Sequence, residues 1–216
     1  MEETKKMSQP HAYELVRSVL IFLHLACLIA AGISIAFGDY AILRHRPVNR
    51  VLMHKASRAV IWSLVALWVT GLGIMALDMS TVGLSLATAP KLQAKLTVVT
   101  LLSLNGFLLH RYTLHALGET KSPTESDVSL AAILGAVSAA SWGYAVFLGV
   151  AKAWTPILGY SGFMALYVLG VLAGIAVSLR WVRPLLLEIT PLGARKAHGH
   201  EVNHGLASDE LNAAIG

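Results

Sequence analysis

Cysteine is almost missing from this chain: Cys27 is the only one in 216 residues. That excludes an intrachain disulfide and any metal cage built on several thiolates. Charge is scarce as well, with Asp, Glu, Lys and Arg at 13%, where a soluble domain carries about 25%. No Lys/Arg-rich face with interleaved aromatics occurs, so the net charge of +5 and the pI near 9.5 do not point to nucleic acid. The basic residues stand instead at the ends of apolar runs, where they report topology. P-loop, G-x-S-x-G, H-E-x-x-H and Gly-rich dinucleotide signatures are all absent, which removes the soluble enzyme classes they mark. An inverted repeat of the transporter kind is not visible either. The first apolar run is longer than a signal h-region and has no small-x-small site before polar sequence, so no cleavable leader is expected.

What is present is apolar. Hydrophobic residues make up 56% of the chain and the mean hydropathy is +0.64. Five runs are long enough to span a bilayer, which takes roughly 20 residues of helix. They cover about 18–38, 59–77, 92–112, 128–151 and 157–179. The expected fold is an all-α integral membrane bundle, a four-helix core plus one, within 18–183. It lies between a polar N-terminal arm, 1–17, and a polar tail, 184–216. The fourth run is rich in small residues from Ala131 to Gly143, and such a surface lets helices approach closely. Most Lys and Arg fall in the first loop, the third loop and the tail. The positive-inside rule then puts the N-terminus outside and the C-terminus in the cytoplasm of an inner-membrane, multi-pass protein.

Within the spans, polar residues stand out by contrast. His24 lies deep in the first run, and a neutral imidazole there can ligate a metal or haem iron, or simply bond to a neighbouring helix. Cys27 follows three residues later on the same helix face, where it can share a ligand with His24 or merely pack. Lys95 is carried inside the start of the third run. It either snorkels to the headgroups or serves a buried carboxylate or metal. On the expected topology His24 lies about 9 Å and Lys95 about 5 Å below the outer ends of their helices. Asn105 and His110 belong to the opposite end, as do Asp39, His54, Lys55 and Arg58, whose plain reading is a charge network anchoring a short loop. Met53, Met75, Met79 and Met164 offer thioethers but no M-x-x-M cluster. His198, His200 and His204 in the tail have a weak metal-binding spacing.

Several of these residues together resemble a family. Phe22-Leu-His24 in the first helix, a basic loop, Gly71-Leu-Gly73 in the second helix and Lys95-Leu-Thr97 opening the third are similar to the HemJ-type protoporphyrinogen IX oxidases. They also resemble the CopD-like copper-resistance membrane domains. The resemblance covers roughly residues 18–150. It implies that His24 and Lys95 are the functional pair associated with haem b, His24 as axial ligand and Lys95 as catalytic residue, propionate partner or second ligand. An oxidoreductase acting on a porphyrinogen or similar reduced substrate follows, with a membrane redox partner such as a quinone. Leu102-Ser-Leu-Asn105-Gly-Phe107 stands where the family carries further polar and aromatic residues. The rival expectations are a copper-handling or small-solute membrane protein using His24, Cys27 and methionines, and a non-catalytic membrane scaffold, either of which can oligomerise.

Overall fold

The computed structural model describes residues 2–43, 50–113, 124–151 and 153–189. Among these residues the chain is helical apart from short connections, without strands, and five helices are long and apolar enough to cross a membrane. The chain is an all-α, multi-pass integral membrane protein. The helices are α1 (Glu2–Leu43), α2 (Arg50–Val82), α3 (Pro90–Leu108), α4 (Glu125–Val150), α5 (Thr155–Val177) and the short α6 (Arg183–Ile189). A 3₁₀ turn, Leu86–Thr88, precedes α3, and π-helical turns at Leu109–Thr113 and Ser178–Val182 extend α3 and α5. The tail histidines His198, His200 and His204, and most of the third loop, lie outside the described residues.

The helices outrun the apolar runs that announce them. α1 has 42 residues, about 60 Å at 1.5 Å per residue, against roughly 30 Å of hydrocarbon. The polar segment before Ser18 is therefore a continuation of the first helix, and Arg50 to Arg58 of the expected loop open α2. α4 starts three residues before its apolar run for a local reason. Thr124 Oγ1 accepts from the Asp127 N–H at 3.2 Å and the Thr124 N–H donates to Asp127 Oδ2 at 2.8 Å, a reciprocal cap on two of the backbone groups left open at a helix start. α5 opens with Pro156 in its first turn, where a missing N–H costs nothing.

Two compact units divide the chain within α3, Met1–Gln93 and Ala94–Gly216. In the first, α1 and α2 form an antiparallel hairpin. The residues of α1 withdrawn from the surface include Tyr13, Arg17, Leu20, His24, Cys27, Ala31, Ser34 and Gly38. On α2 they include Met53, Ala56, Val60, Ser63, Leu67, Thr70, Ile74 and Leu77. Both sets alternate steps of three and four, the spacing of a left-handed knobs-into-holes seam. Small residues set its closeness. A Cβ on Gly73 would stand 3.7 Å from Leu20, and one on Gly38 3.7 Å from Ala56. Outside the seam the hairpin is apolar and open: Phe22 is 70% exposed and Trp62 68%. Water would penalise such a surface at about 25 cal/mol per Å², whereas lipid does not.

The second unit is built around Ala94, Val98, Leu148, Ala151, Phe163 and Tyr167. α4 runs against α5 and is tied to it by hydrogen bonds that are buried or partly buried. Ser178 donates to the Ala132 carbonyl at 2.8 Å, Ser141 Oγ and the Tyr167 hydroxyl lie 2.9 Å apart, and Tyr144 donates to the Phe163 carbonyl. A Cβ on Gly174 would meet the Ala136 carbonyl and Ala140, each at 3.6 Å, so the small-residue stripe of α4 is used for close approach. α3 joins α4 through the buried Asn105, whose Nδ2 donates to the Leu134 carbonyl at 3.0 Å.

Candidate functional site around His24

His24 occupies a seam position of α1 and is half-buried. Its Nδ1 lies 2.8 Å from Thr70 Oγ1 on α2. Thr70 is 9% exposed, and its hydroxyl also lies 2.7 Å from the Ala66 carbonyl and 3.3 Å from that of Leu67. Gly71 completes the arrangement, since a Cβ there would sit 3.3 Å from His24 Cε1 and 3.7 Å from Nδ1. The seam thus holds the imidazole edge-on against α2, with a polar partner at one nitrogen and no side chain at residue 71. Such a pairing stabilises two polar groups that hydrocarbon would otherwise leave unsatisfied at a cost of several kcal/mol each.

Cys27 lies one turn further along the same seam, half-buried and a free thiol. Met53 is buried in that seam at 5% exposure, Met75 is half-buried and Met79 exposed. Among the described residues no group of three or more His, Cys, Asp and Glu side chains is placed to hold a metal ion. A porphyrin-borne iron asks less of the protein, because the macrocycle supplies four nitrogens and the chain one axial atom. His24 fits that requirement. An axial imidazole characteristically donates its other N–H to a fixed acceptor, and Thr70 Oγ1 stands at that place.

Lys95 belongs to the second unit, in the second turn of α3. It is half-buried between the fully buried Ala94 and Val98 and one turn above Val99. On the same helix Thr97 Oγ1 lies 3.3 Å from the Tyr160 hydroxyl of α5. Asn105 is accounted for by its bond to the Leu134 carbonyl, a packing role, and His110 is exposed in the π-helical turn. Asp39, His54, Lys55 and Arg58 are all exposed.

Two features of the first unit carry little signal in the sequence. Thr70 is one threonine among many, and only folding α1 back on α2 reveals it: His24 and Thr70 are equally far in sequence from Pro47 in the connection. The second is a polar clamp at one end of the hairpin. Arg17 Nε donates to Asp78 Oδ1 at 2.9 Å and Nη2 to Oδ2 at 3.3 Å, while the Tyr13 hydroxyl donates to Oδ1 at 2.9 Å. Arg17 and Asp78 border the two apolar runs, so the clamp lies where the hairpin leaves the hydrocarbon.

Comparison with known protein families, with curated proteins and with solved structures finds no match to the chain.

Proposed function

We propose that this multi-pass membrane protein is a haem-associated redox protein similar to the HemJ-type oxidases, with His24 as axial ligand. The observation that supports this reading best is the contact between His24 Nδ1 and Thr70 Oγ1 at 2.8 Å. It gives the ring a fixed partner at Nδ1, the outer contact that a ligating imidazole characteristically makes. A bound haem supplies one-electron transfer and an acceptor orbital at iron. The chain's own residues do the rest. Thr70 and Gly71 orient the ring, the apolar surroundings keep water away, and the family resemblance alone assigns Lys95 the role of a cation for a carboxylate. The substrate class is a reduced porphyrin-like compound, and a lipid-soluble acceptor of the quinone class receives its electrons. The distribution of Lys and Arg supports an inner-membrane protein with its N-terminus outside and C-terminus in the cytoplasm.

The absorption spectrum of detergent-purified protein tests this reading. A Soret band that disappears in His24→Ala is the expected result. A colourless wild type carrying copper, lost with His24 or Cys27, overturns it in favour of CopD-like copper handling. A colourless, metal-free protein indifferent to every one of these substitutions leaves a membrane scaffold.

A further inference from the structure

We infer that Thr70 sets the tautomer of His24, placing the proton on Nδ1 and the lone pair on Nε2. The reasoning is a proton count. A hydroxyl has one proton to donate and two lone pairs with which to accept. Among the described residues three polar atoms lie within hydrogen-bond distance of Thr70 Oγ1: the Ala66 carbonyl oxygen at 2.7 Å, the Leu67 carbonyl oxygen at 3.3 Å and His24 Nδ1 at 2.8 Å. The carbonyls accept and never donate. An oxygen–oxygen approach of 2.7 Å with no proton between the atoms sets lone pair against lone pair. The hydroxyl proton therefore points to Ala66, the back-bond a helical threonine commonly makes. Oγ1 is then an acceptor towards His24, and Nδ1 must bring its own proton. In the neutral ring, which an apolar span favours over a charged one, the lone pair is left on Nε2.

The opposite tautomer fails this count. With a bare Nδ1, three acceptors would compete for one proton and at least one short contact would be repulsive. In water a solvent molecule mends such a mismatch. Within an apolar span no solvent does so, which is why buried polar groups must be matched donor to acceptor. The steric frame agrees. The ring turns its Nδ1–Cε1 edge towards Gly71, with Cε1 3.3 Å and Nδ1 3.7 Å from the point a Cβ would occupy and Nε2 beyond 4 Å. Rotating the ring to exchange its nitrogens would break the bond to Thr70. Thr70 is thus a positioning residue, acting on a ligand only through His24. This inference rests on the haem reading for what meets Nε2, but not for the tautomer itself.

The test uses full-length protein in nanodiscs with ¹⁵N-labelled histidine, assigned by difference against His24→Asn. In ligand-free wild type the His24 resonances should show a protonated Nδ1 and an unprotonated Nε2. Thr70→Val keeps the shape and removes the hydroxyl, and should shift the ring to a mixture of tautomers, while Thr70→Ser should restore the wild-type pattern. A wild-type ring protonated on Nε2, or a folded Thr70→Val protein with an unchanged tautomer, overturns the inference. Titration with hemin then addresses the positioning role. Thr70→Val should weaken hemin binding by roughly 10-fold or more, the usual effect of losing a ligand's outer partner, with rescue by Thr70→Ser. Equal affinity in Thr70→Val and wild type overturns that role. Wild type that binds no hemin but shows the Nδ1–H ring refutes the haem reading and upholds the tautomer.

Discussion

The guanidinium of Arg17 and the carboxylate of Asp78 meet at two points, Nε to Oδ1 at 2.9 Å and Nη2 to Oδ2 at 3.3 Å, and so close one end of the α1–α2 hairpin. The fork geometry matches a carboxylate and resists rotation of one helix about its axis. Register matters here because His24 and Thr70 lie in the same seam, two turns further into the membrane. A slip of one residue would carry His24 off the seam.

The clamp predicts measurable coupling. Arg17 is 41% exposed and Asp78 16%, so solvent screens the pair on one side only. A double-mutant cycle with Arg17→Gln and Asp78→Asn, read by unfolding in detergent, should give a coupling of about 0.5–1 kcal/mol. The single Arg17→Gln change should cost more than the pair is worth, since it leaves the less exposed carboxylate with only Tyr13. Additive effects of the two substitutions would show that the contact does not hold the hairpin.

Glycines on two helices should respond in opposite ways. Gly71→Ala places a methyl 3.3 Å from His24 Cε1, tighter than an ordinary contact, so the ring or the helix must shift by a few tenths of an ångström. Its expected signature is a change in the His24 ¹⁵N resonances and in hemin affinity. Gly106→Ala on α3 meets nothing within 4 Å. It should leave both readouts alone and raise stability by up to about 1 kcal/mol through helix propensity. Equal behaviour of the two variants would mean that the His24–Gly71 approach is unimportant.

Gly159 makes a third prediction. Its φ of 55° and ψ of −167° interrupt the first turns of α5 in a region that only glycine occupies readily. No neighbour lies within 4 Å of an added Cβ, so the penalty for Gly159→Ala is conformational and not steric. It should destabilise the protein by roughly 1–3 kcal/mol, seen as a lower melting temperature. Gly170→Ala in the same helix, equally open but without a positive φ, serves as the control. A Gly159→Ala protein as stable as wild type would show that α5 starts just as well without this break.

Much of the architecture was readable beforehand, and the exceptions have physical causes. The five apolar runs translate into five helices because a span in lipid must satisfy its own backbone hydrogen bonds, and apolarity is a local property of a segment. The helix ends were less legible. The segments before Ser18 and from Arg50 to Arg58 carry charged residues, yet they continue the helices of the apolar runs. Asn105 is in the sequence only a polar residue towards one end of the third run, and it is a tie between α3 and α4, visible only once Leu134 is brought beside it.

His24 could be singled out from the sequence alone, because a lone imidazole in an apolar run is conspicuous whatever surrounds it. Fold class, membrane residence and the number of spans follow from the same one-dimensional contrast. Which nitrogen of that ring is held, and by what, depended on Thr70, 46 residues away on another helix. Such a contact is decided by how two helices are rotated and registered against each other, and that emerges only from the whole seam, from the Arg17–Asp78 clamp to the Gly38–Ala56 approach.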